Sequence, residues 1–353
     1  MQFNFLSITD IKKETTDTVS IAFEIPASLK TEYSFIPGQY VTLKSTINGE
    51  DVRRAYSICS APYENELRVA IKQIPNGVFS TFANNELKTG DKLEVMTPNG
   101  HFYSEYKSDN KKDYVGFVAG SGITPILSII KHVLRTEMGS KFTLFYGNRE
   151  VDSVIFGKEI DALKNQYPDR FSVQFIFSQE NHGMDLFYGR IDAEKLEIWS
   201  KGLFQISATD EYFMCGPEAM TNDIRNFLDS NNVDSKKVHF ELFNTSGSTD
   251  EKAPTETTET VTANIKVIVD DEEYEFELGS DGKDILQAGV DAGVDLPFSC
   301  KGGVCSTCKA KVLEGEATMK LNYSLLDEEV EAGYILTCQA HPKSEKLVVS
   351  FDD

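Results

Sequence analysis

The hydrophobic pattern of this chain changes period three times, and each change marks a different kind of architecture. Up to about residue 105 the apolar residues come in short β-rich runs: VSIAFEI, QYVTLKST, RRAYSIC, ELRVAIKQI and DKLEVMTP. Turn signals separate them, among them Pro37-Gly38, Asn48-Gly49 and Asn76-Gly77. Short strands at even spacing predict a closed antiparallel β-barrel over residues 1–105. From 106 to 243 the rhythm alternates. DYVGFVAG, KFTLFYGNR, RFSVQFIFS, DEYFMCG and KKVHFELF are strand-like, while TPILSIIKHVLRTE and EAMTNDIRNFLDS have helical periodicity. Alternating strands and helices predict a doubly wound parallel α/β domain.

The pattern then stops. Residues 244–263, NTSGSTDEKAPTETTETVTA, contain no aromatic residue and little aliphatic surface. Such a segment buries too little to offset its ordering entropy and is expected to be a flexible linker. Residues 264–353 resume a strand and helix pattern. ANIKVIVD and EEYEFEL read as a hairpin, DILQAGVDAG as a helix, and CKAKVLEG and ILTCQAHP as strands that bring Cys308 and Cys338 together.

Charge narrows the partners. The formal net charge is −21 over 353 residues, which repels nucleic acid and anionic membrane surfaces. The first residues, MQFNFLSITDIKKETTD, lack a basic stretch followed by an apolar one, and no run approaches the roughly 20 apolar residues that cross a bilayer. A cytoplasmic protein with reduced thiols is expected. Clustered cysteines then suggest metal rather than disulfides. Cys59 and Cys215 stand alone, whereas Cys300, Cys305, Cys308 and Cys338 form a group.

The spacing Cys300-x4-Cys305-x2-Cys308, followed by Cys338, is that of a plant-type [2Fe–2S] site. Four thiolates must converge on two irons, so the chain has to wrap the cluster. Gly302 and Gly303 let the backbone turn closely, and small Ser306 and Thr307 leave N–H groups for the sulfurs. A structural zinc ribbon would show two C-x2-C knuckles, and only one is present.

Two further motifs suit a flavin. In RRAYSICS, Arg54 can pair with a phosphate, Tyr56 can lie against an isoalloxazine ring, and the Ser57 hydroxyl can bond the ring nitrogen that accepts hydride. The same residues would also fit an ordinary strand with a surface Arg and a core Tyr. About twenty residues on, Gly77, Val78, Phe79, Ser80 and Thr81 open a short helix whose free N–H groups suit a pyrophosphate. Gly120, Gly122 and Thr124, in VAGSGITP, sit at a strand end before a helix, where a doubly wound sheet binds its ligand. Cys215, Gly216 and Pro217, in CGPEAM, sit at another strand end. Cys215 reads equally as a small buried hydrophobe.

In order along the chain, Arg54-x-Tyr56-Ser57, Gly77-Val-Phe-Ser-Thr81, Gly120-Ser-Gly-Ile-Thr-Pro125, Cys215-Gly-Pro217 and the four-cysteine loop resemble the ferredoxin–NADP(+) reductase superfamily fused to a ferredoxin. YGNR, DLFYGRID, FSCKGGVCSTCKAKV and GYILTCQAHP add to the resemblance, which covers nearly the whole chain. It implies FAD, a [2Fe–2S] cluster in a β-grasp domain, and NADPH or NADH as hydride donor. It implies flavin binding by Arg54, Tyr56 and Ser57, and pyrophosphate binding by residues 77–81. Gly120 to Thr124 and Cys215 to Pro217 would face the nicotinamide nucleotide, with Glu241 and Phe243 near the flavin edge.

Ser178 and Gln179 stand where NADPH-using relatives often carry Ser-Arg, so Arg149 is the remaining candidate for the 2′-phosphate. The implied activity is electron transfer from NAD(P)H through FAD and the cluster to an oxygenase, with other hydroxylases and desaturases as alternative acceptors. A non-catalytic redox sensor would show neither flavin nor nucleotide oxidation. From residue 264 onward there are 19 Asp/Glu against 8 Lys/Arg, which suits a partner with a basic docking patch.

Overall fold

The computed structural model describes residues 3–243 and 262–352, in two compact units, Met1–Phe243 and Asn244–Asp353. The first unit begins with β1 (Phe3–Thr15), β2 (Thr18–Phe23), β3 (Tyr40–Ile47), β4 (Glu50–Ser57), β5 (Leu67–Lys72), helix α1 (Val78–Asn85) and β6 (Lys92–Met96). These six strands form an antiparallel sheet in the order β4-β3-β6-β1-β2-β5. The sheet closes where Ile58, just past β4, bridges Val69 of β5, and Cys59 N–H donates to Arg68 O at 2.9 Å. The Asn48-Gly49 turn joins β3 to β4 with both residues at positive φ, as a tight hairpin requires. Leu6, Ile21, Val41, Leu43, Val69, Ile71 and Val95 fill the interior.

Of these six strands, β1, the longest, is the one the hydrophobic pattern did not announce. Its register shifts between Ile8 and Asp10 and again between Lys13 and Thr15. Each shift interrupts the inside–outside alternation that sequence reading depends on.

The second sheet of this unit follows. Its elements are β7 (Asp113–Ala119), α2 (Ile123–Thr136), β8 (Lys141–Asn148), α3 (Gly157–Gln166), β9 (Phe171–Phe177), α4 (Ala193–Trp199), β10 (Glu211–Gly216), α5 (Glu218–Ser230) and β11 (Val238–Leu242). All five strands are parallel, in the order β11-β10-β7-β8-β9. The chain therefore winds outward one way from β7 through β8 and β9, then returns to the other side at β10. That reversal opens a crevice at the carboxyl ends of β7 and β10. Helix α2 holds the sheet to the barrel. Its Ser128 Oγ donates to Ser60 O at 2.6 Å. Its buried Lys131 pairs with Glu64 of the barrel at 2.8 Å and Glu159 of α3 at 2.9 Å.

The second unit contains β12 (Thr262–Val269), β13 (Glu272–Gly279), α6 (Ile285–Asp291), β14 (Lys309–Glu314), β15 (Ala317–Met319), α7 (Asp327–Glu331), β16 (Tyr334–Leu336), β17 (Ala340–Pro342) and β18 (Lys346–Ser350). Its main sheet runs β13-β12-β18-β14-β16. The parallel β12–β18 pairing lies at the centre, with antiparallel neighbours on both sides. Helix α6 buries Ile285, Leu286 and Gly289, and its N-cap Asp284 accepts from Gln287 N–H at 2.8 Å.

The fold corrects two expectations. The linker is expected over 244–263, but Thr262 and Ala263 already pair in β12; residues 244–261 lie outside the described residues. ILTCQAHP is not one strand. β16 and β17 belong to different sheets, and Cys338 lies between them. A chain that must turn a thiol toward a loop cannot keep the ladder through that thiol.

Candidate functional site

Strand β4 alternates its side chains across the barrel wall. Arg53 is buried and bonds Asp51 at 3.1 Å, whereas Arg54 is exposed with one N–H donated to Arg53 O at 2.7 Å. Tyr56, two residues on, shares the face of Arg54. Its ring centroid lies 5.7 Å from that of Phe79 in α1, so the two flavin-type motifs converge. Burial pushes the Tyr56 phenol above its ordinary value, with Arg54 opposing.

Gly77 caps α1. A Cβ there would stand 2.3 Å from Ser80 Oγ and 2.5 Å from Ile74 Cγ1, so a side chain would have to displace both. Phe79 and Ser80 point inward, Ser80 Oγ accepts from Ile74 N–H at 3.3 Å, and Thr81 accepts from Gln73 at 3.4 Å. Val78 is exposed. With those side chains engaged, what this stretch leaves available is backbone N–H groups, which a helix start leaves without intrahelical partners. An exposed guanidinium, a helix start and the Ser57 hydroxyl are the donor set a flavin dinucleotide needs.

The glycine-rich ends of β7 and β10 touch. A Cβ on Gly122 would lie 2.1 Å from Cys215 O, and one on Gly216 would lie 2.6 Å from Met220 Cε. Tyr146 OH donates to Gly120 O at 3.1 Å, and Thr124 Oγ1 to Ser121 O at 3.0 Å. Pro217 caps α5, so the first turn of that helix opens at the same strand end. Sequence reasoning misses Tyr146. Inside KFTLFYGNR it reads as one more strand residue, and only the fold sets its hydroxyl on the Gly120 carbonyl.

Cys215 and Glu241 are paired in register on β10 and β11. Ser57 Oγ donates to Glu241 Oε2 at 3.2 Å. Burial pushes the Glu241 carboxyl up to about 8, against the lowering by Ser57. Burial also drives the Cys215 thiol well up, and Glu241 adds to that. Both effects favour the neutral thiol at Cys215. Phe243 packs, half-buried, on the core that contains Cys59, Phe102, Ile123 and Cys215.

At the other side of the sheet, Ser178 N–H and Oγ both reach Asn148 O, at 3.0 and 3.3 Å, and Gln179 N–H donates to Arg149 O at 2.9 Å. The exposed Arg149 thus lies beside Ser178-Gln179, as a shared phosphate site would require. A cavity of 810 Å³ lined by Lys12, Arg68, Lys158, Phe156 and Phe175 includes none of the predicted site residues.

In the second unit, Cys305, Cys308 and Cys338 are buried and Cys300 is partly exposed. The thiols fall into two pairs. Cys300 is drawn down to about 6, chiefly by a hydrogen bond from Cys305, and Cys305 is pushed up by the same bond. Cys308 is pushed up chiefly by its hydrogen bond with Cys338. One pair per iron is what a two-iron cluster asks of its ligands. Cys300 N–H points to Cys305 Sγ at 3.4 Å, and Gly302 N–H to Cys300 Sγ at 3.3 Å. Gly303 takes φ +74°, while Lys301 and Ser306 adopt the same left-handed region and Gly302 does not. Thr337 N–H and Oγ1 each reach Cys308 O at 3.0 Å, tying the fourth-ligand segment to the loop. Ser299 Oγ, beside Cys300, is buried with no hydrogen-bond partner among the described residues, a donor to spare for cluster sulfur. Ser299 lies inside FSCKGGVCSTCKAKV, yet nothing in that stretch singles out its hydroxyl.

These sites define a flavoprotein reductase joined to a ferredoxin. Three family profiles agree: "Oxidoreductase FAD-binding domain" over residues 6–103, "Oxidoreductase NAD-binding domain" over 117–226 and "2Fe-2S iron-sulfur cluster binding domain" over 267–343. The chain belongs to the ferredoxin–NADP(+) reductase-type flavoproteins that carry a C-terminal plant-type [2Fe–2S] domain. Among its relatives is a component of the 1,2-phenylacetyl-CoA epoxidase of Escherichia coli K12. That protein is 42% identical over 99% of this chain and 98% of its own length.

The ferredoxin reductase component of 3-ketosteroid-9-alpha-monooxygenase from Rhodococcus rhodochrous is 33% identical over 98% of this chain and 96% of its own. In fold the chain matches phthalate dioxygenase reductase, with a TM-score of 0.60 at 24% identity, covering 99% of this chain and 98% of that one. Among the described residues no helix is long and apolar enough to cross a membrane.

Proposed function

We propose that this protein passes electrons from NADPH to an oxygenase of the phenylacetyl-CoA epoxidase type, working in the cytoplasm. The observation that carries the reading is the meeting of Ser57, Glu241 and Cys215, where the barrel motif and two nucleotide-sheet strands share one point. FAD supplies hydride acceptance from the nicotinamide when bound there, and the [2Fe–2S] centre supplies one-electron carriage onward. Residues 1–105 bind the flavin, 106–243 the nucleotide, and 264–353 the cluster through Cys300, Cys305, Cys308 and Cys338.

Each residue has a stated task. Arg54 neutralises phosphate, and the N–H groups opening at Gly77 hold the pyrophosphate. Tyr56 would lie against the flavin ring. Ser57 and Glu241, joined at 3.2 Å, would hold a proton at the ring edge. Gly120, Gly122, Gly216 and Pro217 would let the nicotinamide approach backbone, with Cys215 beside it and Phe243 over the edge. Thr124 and Ser178 shape the two ends of the nucleotide groove, and Arg149 meets a 2′-phosphate. The acidic tail, 19 acidic against 8 basic side chains from residue 264, docks on a basic patch of the oxygenase.

Names of relatives support the oxygenase client: a phenylacetyl-CoA epoxidase component at 42% identity and a ketosteroid monooxygenase reductase at 33%. The test is reconstitution of the cofactor-loaded protein with purified oxygenase components of each kind. Substrate oxidation coupled to NADPH should appear with the phenylacetyl-CoA enzyme and be weak with the steroid one. The reverse order would transfer the assignment to steroid chemistry.

A further inference from the structure

Gln339, the residue after the last cysteine, touches both halves of the thiol site. Its Nε2 donates to Lys301 O at 3.1 Å and lies 3.9 Å from Cys338 Sγ. Its own backbone is held on both sides: its N–H donates to Leu336 O at 2.9 Å, and its carbonyl accepts from Lys320 N–H at 2.9 Å. The side chain therefore projects from a fixed point.

Its target needs such a partner. Lys301 is a non-glycine residue at φ +53°, a conformation that L-residues avoid unless the surroundings impose it. The Lys301 ammonium is also engaged, donating to Gln287 Oε1 at 3.2 Å and lying 4.5 Å from the Phe298 ring centroid. Two residues on, Gly303 O accepts from Tyr323 N–H at 3.1 Å and Ser324 Oγ at 3.3 Å. The loop is thus pinned at two carbonyls by two separate segments. Of these pinning groups, the Gln339 amide also stands beside a ligand sulfur.

We propose that Gln339 is a positioning residue for the iron–sulfur centre. It holds the Lys301 turn in its left-handed form and offers an N–H to the Cys338 thiolate. Donors near ligand sulfur stabilise the more negative, reduced form of a cluster and raise its potential. A glutamine suits this role because its amide stays a neutral donor at every pH. A carboxylate in the same place would set a negative acceptor against sulfur.

The inference rests on the tail carrying a [2Fe–2S] centre, and the experiment separates the two claims. Midpoint potentials are measured on the cofactor-loaded full chain by spectroelectrochemical titration, with the reduced centre followed by electron paramagnetic resonance. Gln339→Leu should make reduction about tenfold less favourable, a shift of about 59 mV to lower potential for one electron. The isosteric Gln339→Glu should shift further in the same direction. NADPH–ferricyanide turnover, which draws on the flavin, should not change.

If Leu loses iron, Glu still reports, because it keeps the shape and the volume. Iron and sulfide retained with potentials equal to the unaltered protein in both variants would overturn the role of Gln339. An unaltered protein that binds no iron and sulfide would instead overturn the reading of the tail.

Discussion

Ser57 on the barrel donates its hydroxyl to Glu241 on β11 across 3.2 Å, joining residues 184 positions apart. Burial holds that carboxyl protonated to about pH 8, well above its ordinary value of 4.5. The unfolded chain releases this proton as pH rises through about 4.5, whereas the folded protein keeps it until about 8. The folded state then binds more protons than the unfolded state, so this group makes stability fall as pH rises across that window. Glu241→Gln cannot ionise and should flatten the decline in Tm between about pH 5 and 8. Thermal unfolding across that range checks it, and parallel curves for the two proteins would sink the idea.

Gly122 meets Cys215 O so closely that any Cβ stands 2.1 Å from it. Neither partner is a flexible side chain, so Gly122→Ala must move the ends of β7 and β10 apart. Overpacking of this kind costs about 1–3 kcal/mol. We expect a lower Tm and a raised KM for NADPH with flavin content preserved. An unchanged Tm would show that the two strand ends part freely.

Arg149 is exposed beside Ser178-Gln179, and Gln179 carries no charge to share a phosphate. Arg149→Ala should lower kcat/KM for NADPH at least roughly tenfold, since a hydrogen bond to a charged group contributes about 1.5–3 kcal/mol. NADH, which lacks the 2′-phosphate, should change little. Steady-state kinetics with both nucleotides decide it. Equal losses would make Arg149 structural, and an NADH preference in the unaltered protein would remove the NADPH assignment.

Cys305 shares its hydrogen bond with Cys300 at the centre of the thiol group. Cys305→Ser should lose iron and sulfide and abolish transfer to a cluster-dependent acceptor. NADPH–ferricyanide turnover should persist, because Met1–Phe243 is a compact unit with its own core. Metal analysis and the two assays run side by side check this. Loss of both activities with FAD retained would mean that the units depend on each other.

Much of this was legible in the residues. β2 to β6 follow from runs of β-rich residues between turn signals, and the parallel sheet from alternating periods. The thiol group follows from spacing, because a cluster dictates how far apart its ligands sit in a tight loop. What was missed has a common cause. β1 is bulged and charged, so its alternation breaks. β18, at the centre of the tail sheet, is a short run near the end of the chain, and its parallel partner β12 lies far back in sequence. Ser299 and Gln339 stand out through single atoms whose neighbours are set by the fold.

The sequence by itself determined the chemical inventory: which donors exist, in what order, and at what spacing where they share a loop. Only the tertiary structure decided which of them meet. It placed β10 beside β7, so that Gly122 lies against Cys215. It also brought Glu241 to Ser57 under enough protein to keep its proton at neutral pH. The physical reason is that spacing is a local property of a chain, whereas burial and its electrostatic consequences belong to all the segments that exclude water together.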